Sequence, residues 1–204
     1  MATAARRTTA RMTAPERREQ LLDVAGEIVA AEGFPAVSIQ SVARRAGISR
    51  PIVYEHFGDL PGLLEALVER ETARALAQVS ETEVGDLSAG DPAELLLESL
   101  RAYLGAVVRS PMTWRLVLMP SEGAPEVLRK SIEQGRAAIL DRLTQAVRPI
   151  SSPAGGTPDP ELTARIFSAI ADEYARLLLS EPERYPPERL LAHARWSLEH
   201  LVTT

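Results

Sequence analysis

A glycine and a closely following proline, Gly47 and Pro51, divide residues 37–57 into two short segments. Ser38 is predicted to cap a helix in the first segment, because its hydroxyl can accept from a first-turn amide. Gly47 lies where that helix must stop, since glycine adopts a left-handed backbone without steric cost. Ser49 is predicted to cap the second helix, and Pro51 fits its first turn, where a missing N–H removes no helical bond. We therefore expect two short helices joined by a tight turn.

The second of these helices has an inward and an outward face. Val53 and Phe57 are four residues apart, so they share one side of a helix and are predicted to pack inward. The outward side chains suit a DNA major groove, where arginine donates to guanine, apolar groups contact thymine methyls, and tyrosine and histidine donate to phosphates. Arg50 is the predicted guanine contact, Pro51 and Ile52 are the predicted thymine-methyl contacts, and Tyr54 and His56 are the predicted phosphate contacts.

This layout is typical of a helix-turn-helix, in which the second helix lies in the major groove. The alternative is an ordinary helical hairpin in a protein core, with its charges facing solvent. The caps, the glycine and the outward residues all agree, so we favour the helix-turn-helix. Two interpretations of Glu55 stay open. Its carboxylate could accept a hydrogen bond from a cytosine amino group, or it could face solvent because phosphate repels it. The solvent role is the favoured one.

Three segments extend the pattern in both directions. They are RREQLLDVA at 17–25 with AEGF at 31–34, SIQSVARRAGIS at 38–49, and VYEHFGD at 53–59. In this order and spacing they resemble the DNA-binding part of the TetR-type transcriptional regulators, over about a quarter of the chain. The resemblance implies an all-α fold. In this fold, an N-terminal three-helix helix-turn-helix DNA-binding domain is followed by a larger helical ligand-binding and dimerisation domain.

The resemblance also implies a set of DNA contacts. It puts Ser38 on a phosphate and Gln40 near a base or a phosphate. It assigns bases to Arg50, Pro51 and Ile52, and the DNA backbone to Tyr54 and His56. The chain departs from the family at Leu60, where a lysine commonly holds a phosphate. We therefore expect a slightly shallower salt dependence of DNA binding.

Charge and composition predict three regions. Residues 1–14 form a basic arm with Arg6, Arg7 and Arg11 that is expected to be disordered. This arm either contacts the minor groove or phosphates, or has no role. Residues 15–58 are the helix-turn-helix domain, and residues 59–204 the helical regulatory domain. Residues 1–57 hold eight arginines against six acidic residues, a net charge of +2 in a chain whose net charge is −5. The basic end therefore coincides with the predicted DNA-binding domain.

The remainder of the chain shows helical periodicity, with no alternation that indicates a strand. Helix starts are marked by Asp91-Pro92 and by Pro111. Long helices are expected at about 60–79 and 127–147, and two final ones at 159–180 and 187–203. Residues 149–158 are rich in proline, glycine and serine, so we predict a linker there.

Two functional surfaces of the larger domain follow from the resemblance alone. A small-molecule pocket among helices four to eight would be lined by residues of the matching segments: Tyr103, Trp114, Arg115, Met119 and Phe167. These side chains could equally be core, and Arg115 could either suit an anionic ligand or pair with Glu122 on the surface. The last two helices would form a dimer interface through Ile170, Tyr174, Leu191 and Leu198, and the alternative is core packing.

Several classes of protein are disfavoured. The chain has no cysteine, which excludes disulfides, thiolate zinc sites and cysteine nucleophiles. His193 and His200 are about 10 Å apart along one helix, too far to share a metal. The sequence has no Gly-x-Ser-x-Gly, no phosphate-binding glycine loop and no His-Glu-x-x-His. We therefore expect no cofactor and no enzymatic activity.

The sequence as a whole favours a bacterial, ligand-responsive repressor that binds a pseudo-palindromic operator as a homodimer and is released by a small molecule. The alternative is a DNA-binding regulator controlled by a protein partner or by no ligand, and a helical enzyme is the remote one. No apolar run is long enough to cross a bilayer, and the N-terminus lacks the apolar core of a signal peptide. A cytoplasmic location without membrane contact is expected.

Overall fold

The computed structural model describes residues 12–81, 87, 90–119, 126–148 and 159–201. Across these ranges the chain forms nine α-helices and one 3-10 turn at Phe34–Ala36, with no strand, so the all-α prediction is confirmed. The helices are α1 (Ala14–Glu32), α2 (Ile39–Ala46), α3 (Arg50–Phe57), α4 (Leu60–Ser80), α5 (Pro92–Arg109), α6 (Pro111–Leu118), α7 (Glu126–Val147), α8 (Pro160–Ser180) and α9 (Pro187–Leu201). The predicted linker and residues 1–11 of the predicted arm lie outside the described residues.

The chain divides into two compact units, Met1–Leu67 and Val68–Thr204. The first unit extends beyond residue 58, the end of the domain that the sequence suggested. The physical reason is that Leu63 and Leu67 of α4 are fully buried in the core of the first unit. Helix α4 therefore contributes residues to both units.

An apolar core holds the first unit together. Val53 is fully buried, and Phe57 packs against the same core while staying partly exposed. The other central side chains come from α1, α2 and α4, and include Leu21, Leu22, Ala25, Ile28, Val42, Leu63 and Leu67. The predicted inward face of the second short helix is therefore the face that packs.

The ends of α2 are fixed as predicted. The Ser41 amide donates to the Ser38 hydroxyl at 3.0 Å, and the Ser38 amide donates to the Ser41 hydroxyl at 2.9 Å. These reciprocal bonds form a capping box and satisfy two amides that have no partner within the helix. At the other end, Gly47 has a φ of 68°, in the left-handed region, and closes the helix.

The start of α3 differs from the prediction in one respect. Ser49 occupies the N-cap position, but its side chain forms no capping hydrogen bond. Its carbonyl instead accepts from the Ile52 amide at 3.1 Å. The predicted side-chain cap is therefore wrong. Pro51 lies in the first turn as predicted, which leaves one amide fewer to satisfy.

The second unit is a helical assembly with its own core. Its buried side chains come mainly from α5, α6, α8 and α9, among them Leu97, Leu104, Val107, Trp114, Leu118, Leu178, Leu179 and Leu190. Helices α5 and α8 begin alike: the carboxylates of Asp91 and Asp159 accept from amides of Ala93 and Leu162 at 2.9 and 3.0 Å. No helix among the described residues is long and apolar enough to span a membrane.

One carboxylate is fully buried in the second unit. Glu71 of α4 accepts from the Arg70 Nε at 2.8 Å, from Arg74 at 3.2 Å and from the Thr113 hydroxyl of α6. A buried carboxylate is tolerated only where it is paired and hydrogen-bonded. This contact therefore fixes α6 beside α4.

The two serine N-caps of the first unit offer a matched test of the capping box. We predict that Ser38→Ala lowers the free energy of unfolding by about 1 kcal/mol, because it removes a side-chain cap. Ser49→Ala removes no such bond and should change it by less than about 0.5 kcal/mol. Urea denaturation of the full chain, followed by circular dichroism, measures both. Equal losses for the two variants would contradict the assignment.

Candidate DNA-binding surface and helical cavity

The outward side of α3 forms a surface that we call the recognition face: Arg50, Pro51, Ile52, Tyr54 and His56. Arg50 and Pro51 are exposed, Tyr54 is 50% exposed, and Ile52 and His56 are half-buried. All five lie on one eight-residue helix whose buried side is set by Val53. The structure therefore brings together every residue of α3 that the sequence singled out for DNA.

Two further residues singled out for DNA lie at the start of α2. Gln40 is exposed and Ser38 is half-buried. The Ser38 hydroxyl already accepts from the Ser41 amide, and it donates to the Ser41 hydroxyl at 3.0 Å. A phosphate at Ser38 would have to compete for that one donated hydrogen. Gln40 carries no such restriction and offers both donor and acceptor atoms.

Arg18 of α1 fixes the far end of α3, a role that the sequence did not reveal. Its guanidinium donates to the His56 carbonyl at 2.9 Å and lies over the Phe57 ring, 4.6 Å from the centroid. The last carbonyls of a helix lack partners within the helix and carry partial negative charge, so a cation stabilises them. The two residues are 38 positions apart, and no local pattern signals such a contact.

Cations also surround the turn of this motif. Arg44 and Arg45 are exposed in the last turn of α2. Arg45 forms an exposed ion pair with Glu32 at 3.3 Å, which is worth little in water. Together with Arg50 they give the turn and the start of α3 a positive surface, which suits a polyanion.

A cavity of about 1010 Å³ lies within the second unit. Three of the residues predicted for a ligand site line it: Tyr103 of α5, Trp114 of α6 and Phe167 of α8. The other two lie elsewhere. Arg115 donates to the Leu179 carbonyl at 2.8 Å, and Met119 is largely exposed at the end of α6. Neither Arg115 nor Met119 is among the residues that line this cavity, so their part in a ligand site stays a prediction.

A polar cluster of Tyr103, Arg136, Asp172 and Glu173 lies in the cavity wall, and Arg176 contacts both of its acids. The Tyr103 hydroxyl donates to Asp172 Oδ1 at 3.2 Å, and Arg136 lies 3.3 Å from Asp172 Oδ2. Arg176 is 3.8 Å from the same oxygen, and its own closer acid is Glu173 at 3.2 Å. From the sequence, Asp172 and Glu173 were only excluded as an acid/base pair. The structure gives Asp172 partners on α5 and α7.

Burial governs the ionisation of this cluster. It raises the pKa of the Asp172 carboxyl, and the opposing effects of Arg136, Arg176 and the Tyr103 hydrogen bond are smaller. Burial also raises the pKa of the Tyr103 phenol well above its usual value, and the nearby Asp172 charge adds to this. The Asp172 carboxylate is therefore incompletely compensated in its ionised form.

Trp114 connects the cavity wall to α4. Its ring meets the Tyr103 ring edge-to-face with centroids 5.0 Å apart. Its indole N–H donates to Gln78 Oε1 at 2.9 Å, and the Gln78 amide donates to the Ser110 hydroxyl at 2.8 Å. A buried indole N–H needs such a partner. A molecule that contacts Trp114 therefore touches a side chain that is hydrogen-bonded to α4.

The four residues predicted for a dimer interface divide between surface and core. Ile170 is 44% exposed, whereas Tyr174 is buried with its hydroxyl 2.8 Å from His193 Nδ1. Leu191 and Leu198 are half-buried against the core of the second unit. Along α8, Leu162 and Ile166 are exposed at the same four-residue spacing as Ile170, so the three form an apolar stripe. Ile166, Ile170, Tyr174 and Leu198 also line the cavity.

Known proteins share this architecture. Residues 21–67 match the family model described as bacterial regulatory proteins, tetR family. The HTH-type transcriptional activator FasR of Mycolicibacterium smegmatis is 35% identical over 69 residues, which are 34% of this chain and 32% of that protein. The HTH-type transcriptional regulator AlkX of Mycobacterium tuberculosis is 26% identical over 132 residues, or 65% of this chain and 60% of that protein. The chain thus spans less than two thirds of either relative's length.

A solved structure matches more of the chain. The TetR-like transcriptional regulator from Rhodococcus sp. RHA1 superposes with a TM-score of 0.70, covering 92% of this chain and 97% of that one at 21% identity. At this identity the match establishes the fold. Residues 21–67 thus match the helix-turn-helix part of the tetR family, and the chain as a whole has the fold of TetR-like regulators. The relatives are regulators rather than enzymes.

Two neighbouring arginines of α1 test the role given to Arg18. We predict that Arg18→Ala lowers the free energy of unfolding by about 1–3 kcal/mol, because it removes a charged hydrogen bond and a cation–π contact. Arg17 bonds only to Gln20 on its own helix among the contacts found, so Arg17→Ala should change stability by less than about 0.5 kcal/mol. Urea denaturation gives both values. Similar effects of the two substitutions would refute the role of Arg18.

Proposed function

We propose that the chain is a DNA-binding transcriptional regulator that binds a pseudo-palindromic operator as a homodimer and is released by a small molecule. The observation that carries the proposal is the recognition face, a set of donor and apolar side chains on the exposed side of a helix fixed at both ends. Such a protein acts where bacterial DNA lies, in the cytoplasm. We propose repression, the mode that the family resemblance implies, although the M. smegmatis relative is named an activator.

Different residues of the recognition face are proposed to contact the bases and the phosphates. Arg50 donates to guanine O6 and N7, and Pro51 and Ile52 contact thymine methyls, so these three read sequence. Tyr54 and His56 donate to phosphates, as Ser38 does from the start of α2, and these contacts set the position of the protein on the duplex. Gln40 binds a base or a phosphate. The half-burial of Ile52 and His56 restricts their reach and leaves the most exposed contacts to Arg50 and Tyr54.

A dimer supplies the second copy of this face. One short helix covers few base pairs, and helix-turn-helix proteins generally bind two half-sites about one helical turn apart. The stripe of Leu162, Ile166 and Ile170 on α8 is a suitable surface for self-association, since adjacent exposed apolar side chains favour burial. Trp196 of α9 is also half exposed and extends the apolar surface available on the last two helices. We propose that α8 and α9 pair with their copies.

The cavity of the second unit is the proposed site of the small molecule. Its volume is at the upper end of that usual for small-molecule sites. Its aromatic side chains, Tyr103, Trp114 and Phe167, offer apolar contact area, and the polar cluster offers orientation. Ligand occupancy is proposed to lower the affinity of the dimer for its operator.

Two substitutions on the recognition face separate sequence reading from backbone binding. We predict that Arg50→Ala costs about 1–3 kcal/mol in operator binding and relaxes the preference at one base position. Tyr54→Phe should weaken binding to all sequences alike, because it removes a phosphate contact. The measurement is a mobility-shift assay on genomic fragments selected by the wild-type protein.

A control for this assay is Lys130→Ala, which removes an exposed cation of α7 that pairs with Glu126 on the same helix. It should leave operator affinity unchanged. If Arg50→Ala and Tyr54→Phe bind the selected fragments as tightly as this control, the recognition face is misassigned.

The dimer is tested by two charge substitutions on α8 and a control substitution on α5. Leu162 of α8 is 54% exposed and Val108 of α5 is 55% exposed. We predict that Leu162→Glu and Ile170→Glu give monomers in sedimentation velocity, because a buried unpaired carboxylate opposes association. Val108→Glu should remain a dimer. If all three variants remain dimers, the interface does not lie on α8.

A further inference from the structure

We propose that the cavity of the second unit selects an uncharged, largely apolar molecule with one hydroxyl group, which binds at Tyr103, Arg136 and Asp172. This inference rests on the proposed ligand control and adds the chemical class of the ligand. The carrying observation is that the charges of the polar cluster are paired with each other within an otherwise mainly apolar wall.

The wall around the cluster is built for apolar contact. Leucines of α5 face the cavity at Leu96, Leu97 and Leu100, and Ile139 and Leu143 of α7 face it at a four-residue spacing. Removing apolar surface from water is favourable, so most of the binding free energy in such a site comes from an apolar body. The polar cluster then sets orientation and selects the head group.

The charges balance at the cluster, where the two arginines Arg136 and Arg176 face the two carboxylates of Asp172 and Glu173. Arg136 pairs with Asp172, and Arg176 pairs more closely with Glu173 than with Asp172. Arg176 also donates to the Leu118 carbonyl at 3.3 Å. The remaining arginine of the wall, Arg142, donates to the Ser80 hydroxyl at 3.1 Å in an exposed position, where solvent and salt screen its charge.

A charged head group would disturb this balance in either direction. A carboxylate beside Arg136 also meets Asp172, whose pKa burial has already raised, so a second negative charge there is costly. An ammonium beside Asp172 meets Arg136 and Arg176 within 4 Å of the same carboxylate oxygen. Both ligands must also lose their own hydration, and neither recovers it fully.

A hydroxyl avoids both costs. It donates one hydrogen and accepts through two lone pairs. The Asp172 carboxylate has acceptor sites beyond those used by Tyr103 and Arg136, since a carboxylate offers about four. A ligand hydroxyl can therefore donate to Asp172 and accept from Arg136 without breaking the ion pair. The class that fits is an apolar alcohol.

The test uses three probes with the same ten-carbon chain: decanol, decylamine and decanoate, at about pH 7, where the amine and the acid are charged. Trp114 lines the cavity and reports binding through its fluorescence, once Trp196→Phe has removed the other tryptophan. Titration calorimetry on the wild-type chain gives the same affinities without a substitution. We expect decanol to bind at least about tenfold more tightly than either charged probe.

Two variants then shift the charge of the cluster in opposite directions. Asp172→Asn leaves the arginines in excess and should move the preference towards decanoate. Arg136→Gln leaves the carboxylates in excess and should move it towards decylamine. Arg165→Gln, at an exposed ion pair of α8, should keep the wild-type order. Arg136 is 46% exposed, so its substitution is expected to preserve folding.

Tighter binding of decylamine or decanoate than of decanol to the wild-type chain overturns the inference. So does an order that both cluster variants leave unchanged, or the absence of binding by all three probes. The proposed function fails separately. Decanol that binds the cavity but leaves operator affinity unchanged in the mobility-shift assay would keep the ligand class and remove the proposed ligand control.

Discussion

The short length of α3 is the constraint on which the DNA-binding unit depends. An eight-residue helix is unstable in isolation, because nucleation costs more than so few hydrogen bonds return. Its conformation must come from outside the helix. Val53 fixes one side in the core, Pro51 presets the first turn, and Arg18 holds the last carbonyls. The recognition face is thus rigid because the opposite face and both ends are held.

The second unit depends instead on satisfying polar groups that it buries. Glu71 is bonded to Thr113, the Trp114 indole to Gln78, and the Tyr103 hydroxyl to Asp172. Leaving any of these groups without its partner costs more than the net value of the bond. Helices α4, α5, α6 and α8 are therefore tied together around the cavity. A ligand that breaks one of these contacts must offer an equivalent hydrogen bond in its place. By replacing the bond between Trp114 and Gln78, such a ligand would act on α4.

Local chemistry made most helix boundaries predictable, whereas long-range pairing did not. Gly47, Asp91-Pro92 and Pro111 act on their immediate neighbours, and the helices begin or end at them as the sequence indicates. Ser49 shows that local prediction can also fail, because this good capping residue occupies the N-cap position but its side chain forms no capping hydrogen bond. Arg18 and Asp172 escaped prediction because their partners lie 38 and 69 positions away.

The charge of the cavity shows why a ligand class cannot be deduced from charged residues along the chain. Arg115, adjacent to a cavity-lining tryptophan, suggested an anionic ligand, yet its guanidinium is bonded to the Leu179 carbonyl. What a ligand meets is the sum of paired charges at the wall, and there Arg136 and Asp172 offset each other. An uncharged ligand displaces no counterions, whereas DNA binding releases them in proportion to the phosphates contacted. Salt would therefore weaken the proposed DNA contacts of the recognition face and leave the proposed ligand site largely unaffected, so the two proposed binding activities would respond to salt independently.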